Sequence, residues 1–335
     1  MRRRVRILFV ILSVLIVVPG WSGDERLALW GPHVVVTATP VALDPHDAAR
    51  RRVGALTFLG GVAIEAQDRA FGGYSSLAVE GDRFTLLSDG GNVLAFTMGR
   101  DWRLRSVRTR ELPAGPGTGW TKADRDAESF ALAGGHAWVG LELANAIWRY
   151  DRGLTRVEGH VAPRAMRHWP PNGGPEAMAR LPDGRFVVIS EEAHVPPRAW
   201  RGGDAVRLRT RDALIFAGDP LSAARPRRFA YVAHGRYDVS DAAALPDGSL
   251  LVLERALSLP FRWSAIVSRI APGDVRAGAV ARSRVIAKLD APLIHDNFEG
   301  IAVTREGGAT IVWLVSDDNQ LFLQRTLLLK FRLDG

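Results

Sequence analysis

The sequence predicts an all-β fold built by repetition, and three observations carry the prediction. Five segments along the 335 residues share one layout, and they begin 48 to 65 residues apart, at Gly72, Asp126, Gly174, Val239 and Asn297. Each places a tight-turn signal between two short apolar runs: "EGDR", "AGGH", "LPDGR", "LPDGS" and "REGGA". Asp-Gly and Gly-Gly supply the positive φ angles that such turns need. Helical periodicity is weak after the first 20 or so residues, which counts against a βα fold. A spacing of this size fits four short strands per unit, the blade of a β-propeller.

Taken in chain order, the first element is a leader. "MRRRVR" is a basic stretch and "ILFVILSVLIVV" (residues 7–18) is a run of 12, apolar but for Ser13, followed by the breaker Pro19. This is the layout of a secretory signal, and the run is short beside the ~20 residues of a membrane span. Residues 1–22 are therefore read as a signal peptide, with an inner-membrane anchor through residues 7–18 as the alternative. The rest of the chain is expected in the periplasm or outside the cell. Residues 23–53 read as a linker and lead-in strand, and 54–335 as one propeller domain.

Within the units, the later strands of unit one are "NVLAFTM" and "RLRSVRTREL", and of unit two "AIWRYD" and "LTRVEGHV". Those of unit three are "ALIFAG" and "RRFAYVA", and of unit four "SAIVSRIA" and "SRVIAKL". Unit five has "TLLLKFRL" and no fourth strand, while "ALTFLGGVAIEA" (residues 55–66) stands before unit one without a unit of its own. The economical reading pairs that N-terminal strand with the C-terminal unit, closing a ring of five blades. Six blades is the alternative.

Composition narrows the chemistry. There is no cysteine, so disulfides, thiol catalysis, thiolate-bound zinc and Fe–S clusters are excluded. The net charge is +8, but the first six residues supply four arginines, and elsewhere basic residues are scattered among acids. That pattern argues against nucleic acid as a partner. "RGGDAVRLRTR" (residues 201–211) reads as a solvated loop or hairpin. No G-x-S-x-G or H-E-x-x-H occurs, which counts against a serine hydrolase or zincin. Trp138, Trp148 and Trp313 lie in strands and read as inter-blade core.

The acids recur with the repeat. Aligned on the start of the first strand, the units carry Ser75, Glu128, Glu176, Asp241 and Glu299. First strands line a propeller's channel, so these residues should converge on one axis. Asp89, Glu142, Glu191, Glu254 and Asp317 end the second strands and should meet at the same mouth. So many carboxylates oppose one another's ionisation. A bound cation relieves this, and oxygen-only ligands suit Ca²⁺. The expected ligands are Glu128, Glu176, Asp241, Glu299 and Asn297, with Asn319 as a further amide oxygen. In the alternative reading the acids pair with Arg255 and Arg125 and only hold blades together. His194 and His295 lie beside acid clusters and read as loop histidines.

"FGGYSSLAV", "DAESFAL", "NGGPEAMARLPDGRFVVISE", "NFEGIAV" and "VSDDNQLFLQRTLLLKFRL" resemble the phytase-like proteins described by an esterase-like activity of phytase. The resemblance runs from about residue 54 to 334. It implies an exported bacterial β-propeller that hydrolyses phosphate or other esters of small molecules, and we expect a monomer. In that reading Ca²⁺ would polarise the ester, Glu191 or Asp317 would handle the attacking water, and Arg255 would offset substrate charge. A lactonase-like enzyme and a non-catalytic propeller binding a ligand or cell-envelope partner are the other classes kept open.

Overall fold

A computed structural model describes residues 27–113, 115–116, 121, 124–200, 203–222 and 225–334. The leader assigned to residues 1–22 lies outside them. Short apolar runs joined by Gly turns make strands rather than helices, and the described structure is almost entirely β. Unit one forms a four-stranded antiparallel sheet from Tyr74–Glu80, Arg83–Ser88, Asn92–Met98 and Leu104–Glu111. Unit two repeats it with Ala127–Ala133, His136–Leu141, Ala146–Asp151 and Val157–Val161. Unit three contributes Pro175–Arg180, Phe186–Ser190, Thr210–Phe216 and Arg227–Val232. Unit four contributes Asp238–Ala244, Leu250–Ser258, Arg262–Ile270 and Val280–Leu289. The outermost strands of these two units pair in parallel at Ala230 with Val280, which joins them into one eight-stranded sheet. In the "LPDG" turns of units three and four, Gly184 and Gly248 take φ of +90° and +82°, a region other residues rarely enter.

Unit five supplies Asn297–Glu306, Ala309–Asp317 and Thr326–Leu333, and its sheet is completed by Leu56–Ala66, antiparallel to the last strand. The two ends of the domain are thus hydrogen-bonded to each other. Val36–Pro40 adds one more strand outside Leu56–Ala66. Part of the segment expected to be a solvated loop or hairpin, Asp204–Arg207, is a single helical turn. Among the described residues, no helix is long and apolar enough to cross a membrane.

The first strands pack on one another in a cycle, each unit on the next and the fifth back on the first. A channel of about 170 Å³ is lined by residues from all five, Leu77, Phe130, Met178, Ala243 and Ile301 among them. The architecture is consistent with a β-propeller. Aromatic side chains fill the spaces between sheets: Trp138 lies 4.7 Å from Phe186 across units two and three, and Trp313 lies edge-on, 4.9 Å from Phe84, across units five and one.

One irregularity recurs in every unit. Pairing of the first two strands skips a single residue: Ser75, Glu128, Glu176, Ser240 and Glu299 each bulge between flanking pairs. A β-bulge adds twist and re-aims a side chain. Because side chains alternate faces, a one-residue change of alignment sends a residue to the other side. The register therefore decides which acids face the axis.

The closing strand can be tested directly. Phe331 is fully buried and meets Phe58 of the N-terminal strand at 5.5 Å. Phe331→Ala should lower unfolding free energy by about 3–5 kcal/mol, read as an earlier midpoint in chemical denaturation.

Candidate acidic site at the ring mouth

The bulge register corrects the alignment of unit four. Tyr74-Ser75-Ser76, Ala127-Glu128-Ser129, Pro175-Glu176-Ala177 and Phe298-Glu299-Gly300 match Val239-Ser240-Asp241, so Ser240 and not Asp241 is the counterpart of the glutamates. Asp241 accepts hydrogen bonds from the backbone N–H of Ala242 at 2.7 Å and of Ile301, on the next first strand, at 2.9 Å. It is a strut between units, and the structure does not bring it to the other predicted ligands. Ser76 and Ser129 occupy its position elsewhere and also reach the next first strand, donating to the carbonyls of Glu128 and Pro175.

The same register places Asp89, Glu142, Glu191, Arg255 and Asp317 in one row at the ends of the second strands. Arg255 therefore stands where Glu254 was expected. Glu254 is buried on the other face, accepting from Tyr231 Oη at 2.5 Å, Ser268 Oγ at 3.1 Å and the His234 backbone N–H at 3.0 Å. It belongs to the blade interior.

Around the axis the acids gather on Arg255. Its Nη2 lies 3.4 Å from both Glu176 Oε1 and Glu191 Oε1, and its Nε lies 3.1 Å from Glu299 Oε1. The Nε contact is an ion pair without hydrogen-bond alignment. Burial opposes the guanidinium's charge, but Glu299, Glu191, Glu176 and Glu128 outweigh it and hold Arg255 firmly cationic. Trp263 lies beneath it, 5.8 Å from the guanidinium carbon.

Two sets of carboxylates have oxygens within 4.8 Å of one another: Asp126, Glu128 and Glu142, and then Glu142, Glu176 and Glu191. Glu142 belongs to both. Its Oε1 accepts the backbone N–H groups of Gly173 and Gly174. Burial, opposed by these bonds and aided by Asp126, pushes its carboxyl up from 4.5 to about 7. Glu191 rises to about 7 through burial, with Arg255 pulling the other way and Glu142 adding to it. Glu128 and Glu176 are raised well above 4.5, first by burial and then by neighbouring carboxylates. Asp317 is raised by burial, then by Glu299 and Asp89.

Asn297 lies at the edge of this group. Its Nδ2 donates to Glu299 Oε1 at 2.8 Å, while its Oδ1 is buried with no partner. A buried acceptor left without a donor is costly. Asn319 is exposed; its side-chain amide donates to Gln324 Oε1 at 3.3 Å and its backbone N–H to Asp317 Oδ1 at 2.6 Å. Arg125 faces Glu111, Tyr150 and Asp124. His194 and His295 are tied to the carbonyls of Thr210 and Leu293 at 2.8 and 2.7 Å.

Asp126 is the member that reading the sequence passed over, and Glu142, expected at the mouth, was not among the expected ligands. The signal was there: Asp126-x-Glu128 and Asn297-x-Glu299 share one spacing, and the same frame in unit four gives Asp238-x-Ser240.

Comparison with known proteins adds a family. The model described as "Phytase-like: Esterase-like activity of phytase" matches residues 69–320. No curated protein matches the chain. Among solved structures it is similar to Kluyvelomyces marxianus Hsv2 at 11% identity and a TM-score of 0.32, with 77% of this chain and 69% of that one covered. Kuenenia stuttgartiensis hydrazine synthase gives 13% identity and 0.39, covering 75% and 79%. A chain of the mitotic checkpoint complex gives 12% and 0.41, covering 95% of each. Likenesses at TM-scores below 0.5 carry no weight for the reaction.

Two outcomes follow from the charges. Between pH 4.5 and 7 the folded chain holds protons at Glu142 and Glu191 that the unfolded chain releases, so stability should fall as pH rises through this window. Thermal melts of metal-free protein at pH 5 and pH 8 check the sign. Arg255→Met removes the cation that pairs with Glu176, Glu191 and Glu299 and should cost about 3–5 kcal/mol at pH 8. The loss should be smaller at pH 5, where protons neutralise part of the repulsion.

Proposed function

The chain belongs to the phytase-like family, and from that premise we propose an exported, five-bladed, monomeric propeller that hydrolyses small-molecule esters, phosphoesters first, at its acidic mouth. Export rests on the basic and apolar pattern of residues 1–18. The observation that carries the reaction is a buried, oxygen-only cluster in which carboxylates crowd one guanidinium and one amide oxygen has no partner.

The residues present fit a hard cation. Their donors are all oxygens, their charges are frustrated by burial and mutual repulsion, and Asn297 Oδ1 lacks a donor. Ca²⁺ tolerates six to eight oxygens in flexible geometry. Asp126, Glu128, Glu142 and Glu176 would hold it, with Glu191, Asn297 and Glu299 beside them. When bound, it supplies Lewis acidity toward a phosphoryl or carbonyl oxygen.

The chain's own groups then have distinct tasks. Burial raises Glu191 to about 7 before any cation is bound, and from beside the cation its carboxylate can take the proton of an attacking water as a general base. Arg255 fixes the carboxylates of Glu176, Glu191 and Glu299 relative to one another. Since those acids occupy Arg255, its first role is positioning, and offsetting charge on a substrate comes second. Asp317, whose burial favours the protonated form, can hold a proton toward a leaving oxygen.

The second reading, a non-catalytic propeller, is favoured by that same Arg255 tie, because three ion pairs that join unit four to units three and five would clamp the ring. The two readings separate by experiment. Protein loaded with Ca²⁺ should hydrolyse phosphoesters and carboxylesters, and chelation should abolish most of the rate. Equal rates after stripping would sink the metal-assisted mechanism. Glu191→Gln should lower kcat by about 10²–10⁴ in a protein that still unfolds in one cooperative transition. Glu299→Ala that loses stability in a protein with no turnover to lose would support the clamp.

A further inference from the structure

Two loops rise from the acidic end of the molecule and expose large apolar side chains. Arg255 and Asp317 both face Glu299, so the second strands of units four and five leave the ring at the same end. Past Arg255, strand Leu250–Ser258 continues for three residues and pairs with Arg262–Ile270 up to a tip at Leu259-Pro260-Phe261. That carries the tip about 10 Å beyond the acids. Leu259 is 90% exposed and Phe261 64%. Past Asp317 the chain presents Leu321, Phe322 and Leu323, with Phe322 94% exposed. Scattered surface leucines are ordinary, but clustered loop-tip aromatics and leucines at one end of a molecule mark a contact surface.

The short link to the apolar leader says what covers it. Leu27 lines a cavity of about 810 Å³ together with Phe71, Leu321 and Phe322. The apolar run ending at Val18 lies only eight residues before Leu27. Even fully extended, that link reaches roughly 30 Å. In a chain that keeps its leader as an anchor, the alternative given above for residues 7–18, the bilayer that takes up that run lies within reach of these loops. Exposed Arg69, Arg262 and Arg325 flank them, the side-chain mixture that suits a headgroup boundary.

We propose that the acidic end of the molecule docks on a lipid bilayer through Leu259, Phe261, Leu321, Phe322 and Leu323, as a contact additional to the leader. The inference rests on loop exposure and tether length and is independent of the ester-hydrolase reading.

Because the chain has no cysteine, single cysteines report local insertion cleanly. Leu259→Cys, Phe322→Cys and, at the opposite end, Asp82→Cys in the full-length chain would each carry an environment-sensitive fluorophore. They would be mixed with phosphatidylethanolamine/phosphatidylglycerol vesicles. Blue-shifted emission and quenching by brominated acyl chains at 259 and 322, but not at 82, is the expected result. No response at 259 and 322, an equal response at 82, or a shift that appears without vesicles as protein concentration rises would overturn it, the last in favour of a second copy of the chain. In an unlabelled chain, Leu259→Ser with Phe322→Ser should weaken vesicle partitioning about tenfold or more. Partitioning unchanged by that pair would leave the leader as the sole anchor and also overturn the proposal.

Discussion

Closing a ring of sheets forces the ends of many strands onto one axis, and this protein places carboxylates on those ends. Everything notable at the site follows from that constraint. Leu56–Ala66 must pair with Thr326–Leu333 for the cycle of first strands to meet itself. Once it does, Glu128, Glu176 and Glu299, far apart in the chain, share one guanidinium with Glu191. The fold thus imposes a repulsion among acids of different units, which the repeat hints at but no single segment shows.

The repulsion is relieved unevenly. Acids turned toward backbone amides, such as Asp241 on Ala242 and Ile301, become struts that tie one first strand to the next. Glu254 is absorbed by Tyr231, Ser268 and His234. Glu142 also accepts two backbone N–H groups, but Glu176, Glu191 and Glu299 crowd on Arg255, and protons, that guanidinium or a cation balance their charge. Glu142 and Glu191, near 7, lie where modest changes in occupancy or pH alter their charge. A site of this kind couples stability to ligand and proton in the same residues, since whatever neutralises the acids also holds the units together.

Much of this was legible before any coordinates. The turn signals, the strand runs and the N-terminal strand that closes the ring could be read from residue order because each depends on local backbone preference or on periodicity. The acidic mouth was legible as a pattern too. Its membership was less so. Asp241 and Glu254 were drawn into it, and Asp126 was left out, because a bulge shifts the alignment by one residue. In a strand with period 2, one residue is the difference between axis and blade interior. The spacing Asp126-x-Glu128, repeated in Asn297-x-Glu299, was the available clue.

By itself the sequence determined the repeat, the strand order, the absence of thiol chemistry and the presence of acids at recurring positions, since these are properties of composition and short-range pattern. Only the tertiary structure decided which acids meet. That choice depends on register across strand pairs and on contacts between residues more than a hundred positions apart. It also decided that Arg255, one of many arginines in the chain, stands among them. No local property of "LVLERAL" distinguishes Arg255 from its neighbour Glu254; the bulge at Ser240 does.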